Sequence, residues 1–217
     1  MKKLTVVLLV CFSVSSMYAQ NVVSLKNEGD KAMGAKQYVI ALTKYEKALA
    51  VWGKKPVDNA MIFSMGECAY RVNDMKKSLM YIDQSIIAGY NLDMDYQYRA
   101  CIMKAQKNTE GYLKTLKEGL VKVPGSKALK ETLSKYYFDE GDKHYHEACD
   151  IMKKASEQMK GGKFSSSDKA FKVQNDKAKL DFNEALKYLN MALGLTPNDE
   201  HAKKVKSNCT NQLQMLI

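Results

Sequence analysis

The feature that most constrains this chain is a recurrence. Gly66 is followed twelve residues later by Ser78, then by Ile82 and Ser85 at four- and three-residue steps, and by a turn at Gly89-Tyr90. The same phase returns as Gly29, Ala41, Tyr45 and Ala48 with a turn at Gly53 to Pro56, and as Ala100, Tyr112, Leu116, Gly119 and Pro124. Ala148, Met152 and Ala155 before Lys160-Gly161-Gly162 make a fourth copy, and Ala185, Leu189 and Ala192 before Pro197 a fifth. The anchors Ala41, Ser78, Tyr112, Ala148 and Ala185 stand 37, 34, 36 and 37 residues apart. Small residues let two helix backbones approach closely, and apolar residues at three- and four-residue steps make one buried stripe. A fixed period of this length marks stacked units that bury a continuous core only together.

These residues resemble the tetratricopeptide repeat, a helix-turn-helix of about 34 residues with a small residue on the first helix and an Ala-x3-aromatic step on the second. The stretch GDKAMGAKQYVIALTKYEKALAVW carries the resemblance most fully. EACDIMKKA and NEALKYLNMALGLTP keep the second-helix half, with Tyr136 and Val173 where Gly or Ala is usual. The resemblance spans roughly residues 22 to 197. It implies an all-α, right-handed superhelix of about five helix pairs with a C-terminal capping helix.

Composition agrees with helices. The chain is 46% hydrophobic with 3 Pro and 12 Gly in 217 residues, rich in Lys, Ala, Leu, Met and Glu, and shows no alternating strand pattern. Its formal charge is +10, or +8 without Lys2 and Lys3, which can attract polyanions at long range. The lysines are spread over every helix, in short clusters such as Lys76-Lys77 and Lys203-Lys204, as solvated helix faces would have them.

Residues 1–19 read as a secretory signal peptide: Lys2-Lys3, the apolar run Leu4 to Phe12, and a small-residue end at Ala19. The run is too short for a permanent membrane span, no second segment could span, and Val10 argues against a lipid anchor at Cys11. A periplasmic, secreted or cell-envelope location follows as an expectation. Three repeats are expected over 22–124, with helices at 22–34 and 37–52, 57–72 and 75–88, and 93–107 and 110–122. Two divergent repeats with elongated helices fill 126–197. The fourth pair starts near Lys127 and turns at Glu140-Gly141-Asp142, and a Gly/Ser loop occupies 160–168 with Ser167 or Asp168 as a cap. Lys169 to Leu195 holds neither Pro nor an early Gly, so it forms one long helix or breaks near Asp181; if fused, it makes a hairpin with 143–160. Residues 198–217 form the capping helix.

No nucleotide, hydrolase or metalloprotease fingerprint occurs, and the expectation is a noncatalytic chain without cofactor. His144 and His146 are two apart on different helix faces; His146 and Asp150 are four apart, which is too few ligands, so no metal site is expected. Cys68, Cys101, Cys149 and Cys209 fall beside the repeat core and read as buried free thiols, Cys68–Cys101 being the first disulfide to test.

What remains is a surface. The resemblance implies that first helices line a groove for an extended or helical peptide. Its positions here are Lys26, Asp30 and Met33 from the first repeat, and Phe63, Glu67, Tyr70 and Arg71 from the second. Gln97, Cys101 and Lys104 come from the third and Tyr137 from the fourth. Trp52 reads as a packing residue. The clamp that chaperone-binding members use for a C-terminal carboxylate would fall on Lys26, Asp30, Ser64, Met94 and Tyr98, of which only Lys26 fits. A protein or peptide partner is therefore expected, with no specific nucleic acid; the competing reading is a binder of anionic polymer.

Overall fold

The structure is a computed structural model that describes residues 21–53, 56–163, 165–166 and 168–216. The expected leader at 1–19, Lys54-Lys55 of the expected turn and Ser167 lie outside the described residues. The described chain is all α, without strands among its described residues. Its helices are α1 (21–34), α2 (Tyr38–Ala50), α3 (Asn59–Arg71), α4 (Met75–Ala88), α5 (Leu92–Ala105), α6 (Thr109–Lys122), α7 (Lys127–Lys160), α8 (Lys169–Leu195) and α9 (Glu200–Met215). Contacts divide the chain after Pro124 into two compact units.

Side chains start most of these helices. The Asp58 carboxylate accepts from the Ala60 and Met61 N–H groups, Asp74 from Lys77, Asn108 from Gly111, Ser126 from Leu129 and Asp199 from Ala202. Each satisfies donors that a helix N-terminus leaves without a partner. Trp52 lies just past α2, packed on the core, and its indole N–H donates to the Pro56 carbonyl at 3.0 Å.

The first unit holds three helix pairs, α1–α2, α3–α4 and α5–α6. Each first helix ends alike. Lys36, Asn73 and Lys107 take left-handed φ values of 58°, 65° and 57°. The N–H groups of the next residues, Gln37, Asp74 and Asn108, reach back to the carbonyls of Ala32, Ala69 and Met103. This is the Schellman arrangement, which closes a helix and reverses the chain. Small residues on the first helix meet large ones on the second. A Cβ on Gly29 would lie 2.6 Å from the Tyr45 ring, and one on Gly66 2.7 Å from Ile82 Cδ1. Tyr45, Met61, Met65 and Ile82 are buried in the resulting core, as are Ala41 and Ala48. α3 also packs directly on α5, so these first helices form one layer.

The second unit departs from the expected boundaries. No turn occurs at Glu140-Gly141-Asp142, and α7 is a single helix of 34 residues. By contrast, α8 is the one long helix of 27 residues that was among the expectations for Lys169 to Leu195. The stretches expected to make a fourth and a fifth pair make one long pair. Two observations explain how. The Schellman closure appears once here, at Gly162 (φ 70°), with the Lys163 N–H bonded to the Gln158 carbonyl. In addition, Gly141 plays the part of Gly29 and Gly66, because a Cβ there would lie 2.9 Å from Leu189 Cγ. Tyr45 and Ile82 follow their glycines by 16 residues, whereas Leu189 follows Gly141 by 48. The extra length is shared between α7 and α8, roughly four turns on each at 3.6 residues per turn. Ala148 and Ala178 pack with Phe182 in the seam of this extension, and Cys209 of α9 and Leu216 just past it cover it. Ala148 therefore recurs in phase because the hairpin seam needs a small residue there. Asp168 precedes α8 but turns its carboxylate back to the Ser165 N–H.

Candidate functional site

The expected groove residues fall mostly on one layer of the first unit, and Tyr98 is the centre of the best-formed part. Phe63 and Tyr70, two turns apart on α3, are half-buried, and both rings meet Tyr98 of α5. The ring centroids are 6.1 Å and 5.2 Å from that of Tyr98, in edge-to-face arrangements that aromatic quadrupoles favour. Tyr90, before α5 and half exposed, stands 6.2 Å from Phe63. The Tyr98 phenol is pushed up to about 12 by burial and by its hydrogen bond to Glu67. Glu67 also pairs with Arg71 at 3.4 Å, and the Arg71 guanidinium lies 5.9 Å from the Tyr38 ring centre. The expected Phe63, Glu67, Tyr70 and Arg71 are thus gathered around one buried tyrosine.

The α1 residues are held in a charge relay. Lys26 Nζ is 2.9 Å from Asp30 and 3.5 Å from Asp58, and the hydrogen bond to Asp30 holds its pKa above the usual lysine range. The other Asp30 oxygen accepts from the Tyr45 hydroxyl at 2.8 Å. Burial raises the Tyr45 phenol, and Asp30 raises it further. Lys26, the sole match to a carboxylate clamp, is therefore already neutralised by two acids. Tyr98, at another clamp position, is buried. Met33 is packed on the core, 3.3 Å from the Cys68 thiol that donates to it.

The remaining expected residues are less joined. Gln97 donates to Asp93 on its own helix, and Lys104 lies over the Tyr112 ring of α6. Tyr137 is a correction. It belongs to the second unit, is only 5% exposed, and packs on Tyr136 and Tyr188, so it serves the core rather than a partner. Cys101 is a second correction, since it is exposed and Cys149 is half-buried, while Cys68 and Cys209 are buried as expected. All four are free thiols.

Sequence reasoning gave Tyr98 only as a failed clamp position and missed Tyr90 and Tyr38. Tyr98 stands one period of 34 after Ser64, a position that points from α5 toward α3. The second unit carries an open pocket of about 520 Å³ at the α8–α9 turn, where Phe138 and His201 meet edge to face. Among the described residues no helix is long and apolar enough to cross a membrane.

No protein-family model matches the chain, and no curated protein does. Solved structures do. A tetratricopeptide-repeat protein from Bacteroides fragilis NCTC 9343 is similar at 25% identity and a TM-score of 0.60, over 88% of this chain and 98% of its own. A protein of Bacteroides ovatus ATCC 8483, described as a candidate protein-binding protein, matches at 13% identity and a TM-score of 0.51, over 90% and 99%. With its repeated Schellman turns and glycine crossings, this chain has the tetratricopeptide-repeat fold.

Proposed function

We propose that the chain is a noncatalytic protein-interaction module of the bacterial envelope, exported by its N-terminal leader, that holds a partner segment on the α1–α3–α5 layer. The observation that carries this reading is the aromatic group on α3 and α5. Phe63, Tyr70 and Tyr90 are partly exposed; Tyr98 packs on Phe63 and Tyr70, Tyr90 on Phe63, and Glu67 and Arg71 flank them. Rigid aromatics ringed by charges are what protein interfaces use as anchors. The likeness to tetratricopeptide-repeat structures supports the same reading.

Binding of an anionic polymer is the second reading, and the ion pairs speak against it. Lys44, Lys77, Lys135, Lys187 and Lys203 each pair with a carboxylate, which offsets the positive charge they would offer a polyanion. Capture from an envelope fraction by the wild type and by a Phe63→Ala, Tyr70→Ala double variant separates the two. Proteins retained by the wild type, lost with the variant and little changed from roughly 50 to 200 mM salt support the groove. Polyanion binding would instead fall steeply over that range and ignore both truncations.

A further inference from the structure

The α7–α8 hairpin gathers three metal-ligating side chains that sequence spacing alone does not join. His144 and Glu147 are one turn apart on α7, and Asp181 comes from α8. His144 Nδ1 lies 3.4 Å from Asp181 Oδ1 and 3.6 Å from Glu147 Oε2, and the three atoms are all within 4.8 Å of one another. We propose that His144, Glu147 and Asp181 bind one zinc-class divalent cation, which clamps α7 to α8 just beyond the Gly141 crossing.

His144 and Asp181 are within hydrogen-bond reach, but both separations are long for one and leave room for a cation between the groups. Charge-assisted hydrogen bonds run at about 2.7–2.9 Å, shorter than either separation here. Ligands about 2.0–2.1 Å from a tetrahedral zinc stand roughly 3.3–3.4 Å apart, close to both. The chemistry agrees. An imidazole Nδ1 carries at most one proton and can serve only one of the two carboxylates it faces. As a lone-pair donor toward a shared cation it serves with both. Two carboxylates drawn together from different helices repel each other unless a positive charge stands between them, and their two charges balance a divalent ion.

The ring is also held. The Tyr188 ring lies nearly parallel to the His144 imidazole, 10° and 5.9 Å away, which fixes the plane in which Nδ1 points. One imidazole with two carboxylates suits zinc better than calcium or magnesium, which take oxygen ligands in larger number. His144 and Asp181 are about three-quarters buried and Glu147 half exposed, which leaves an open side for entry and for a water as fourth ligand. His146 takes no part: it turns to Asp142 at 3.6 Å, and not to the Asp150 that spacing suggested.

The test is titration of the full chain with Zn²⁺ by calorimetry and with Co²⁺ by visible absorption. The same titrations follow on Asp181→Asn, Glu147→Gln and His146→Gln, each checked for helix content by circular dichroism. The expected result is one ion per chain, with tetrahedral-type cobalt absorption and a higher melting temperature with zinc. Binding weakens roughly tenfold or more in Asp181→Asn and Glu147→Gln, and is unchanged in His146→Gln. Glu147→Gln alters a half-exposed group, so it reports on binding even if Asp181→Asn folds poorly. No binding by the wild type, equal binding by the Asp181 and Glu147 variants, or loss in His146→Gln instead would overturn the proposal.

Discussion

Gly141 sits directly against Leu189: a single added carbon would stand 2.9 Å from Leu189 Cγ and 3.2 Å from the Ala185 carbonyl oxygen. The contact joins the middle of α7 to the last turns of α8, and it reproduces the Gly29–Tyr45 and Gly66–Ile82 contacts of the first unit. A glycine inside a helix ordinarily costs about 1 kcal/mol relative to alanine. Here close approach of two backbones repays it. Gly141→Leu and Gly66→Leu are each expected to lower stability by roughly 1–3 kcal/mol through overpacking. Gly194→Ala, with open space around it, is expected to raise stability by roughly 0.4–1 kcal/mol. Urea unfolding of the three variants measures both directions.

The turns offer a second check. Lys36 and Lys107 hold left-handed conformations that side chains disfavour, at about 1–2 kcal/mol for an ordinary residue. Lys107→Gly is expected to stabilise by roughly 0.5–1 kcal/mol, the strain relieved being partly offset by glycine's greater freedom when unfolded. A loss of stability on denaturation would show that the Lys107 turn is not the strained point it is taken to be.

How much of this was legible in the sequence follows from the same glycines. The period, the first three pairs and the caps at Asp74 and Asn108 could be read because each rests on residues within a few positions of one another. Continuity of α7 through Gly141 could not. Glycine breaks helices and also permits close crossings, and which role it plays here depends on Leu189, 48 residues away. Tyr137 misled for a related reason: a tyrosine at a groove phase is indistinguishable from one that the hairpin buries against Tyr188. Asp181 beside His144 is a consequence of the same fused hairpin. Around Tyr98 the structure gathers Phe63, Glu67, Tyr70 and Arg71, but the tyrosine that organises them was hidden at a position judged only by its failure to match.

Asp95 makes stability depend on pH. Its side chain is fully buried between α4 and α5; the Ser85 hydroxyl donates to one oxygen, and the other has no hydrogen-bond partner. Burial raises its pKa from 3.8 to about 6, against the opposing hydrogen bonds from Ser85 and the Asn91 backbone. The folded state therefore keeps a proton that the unfolded chain releases, so this group's contribution is full below pH 4 and declines as pH rises to about 6. The loss is on the order of 2–3 kcal/mol. Asp95→Asn, which stays neutral, is expected to remove that decline. Chemical denaturation at pH 4, 5, 6 and 7 on both proteins compares the slopes, and equal slopes would count against a buried, protonated Asp95.

The thiols should react in order of access. Burial pushes the Cys68 thiol up to about 12 and the Cys209 thiol up to about 11, and both are shielded. Cys101 is exposed and Cys149 half-buried. Since the thiolate is the reactive species, native alkylation followed by mass spectrometry is expected to label Cys101 first and Cys149 more slowly. Cys68 and Cys209 should react only on unfolding. Early labelling of Cys68 would mean that the α1–α3 packing opens.

The central claim, capture of a partner on the aromatic surface of α3 and α5, is tested most directly by photo-crosslinking inside the producing cell. A photoreactive phenylalanine at Phe63 is compared with one at Ile87, which is 85% exposed on α4. The account predicts a discrete crosslinked protein from position 63 and none of that size from position 87. The same adduct from both positions, or one from position 87 alone, would contradict it.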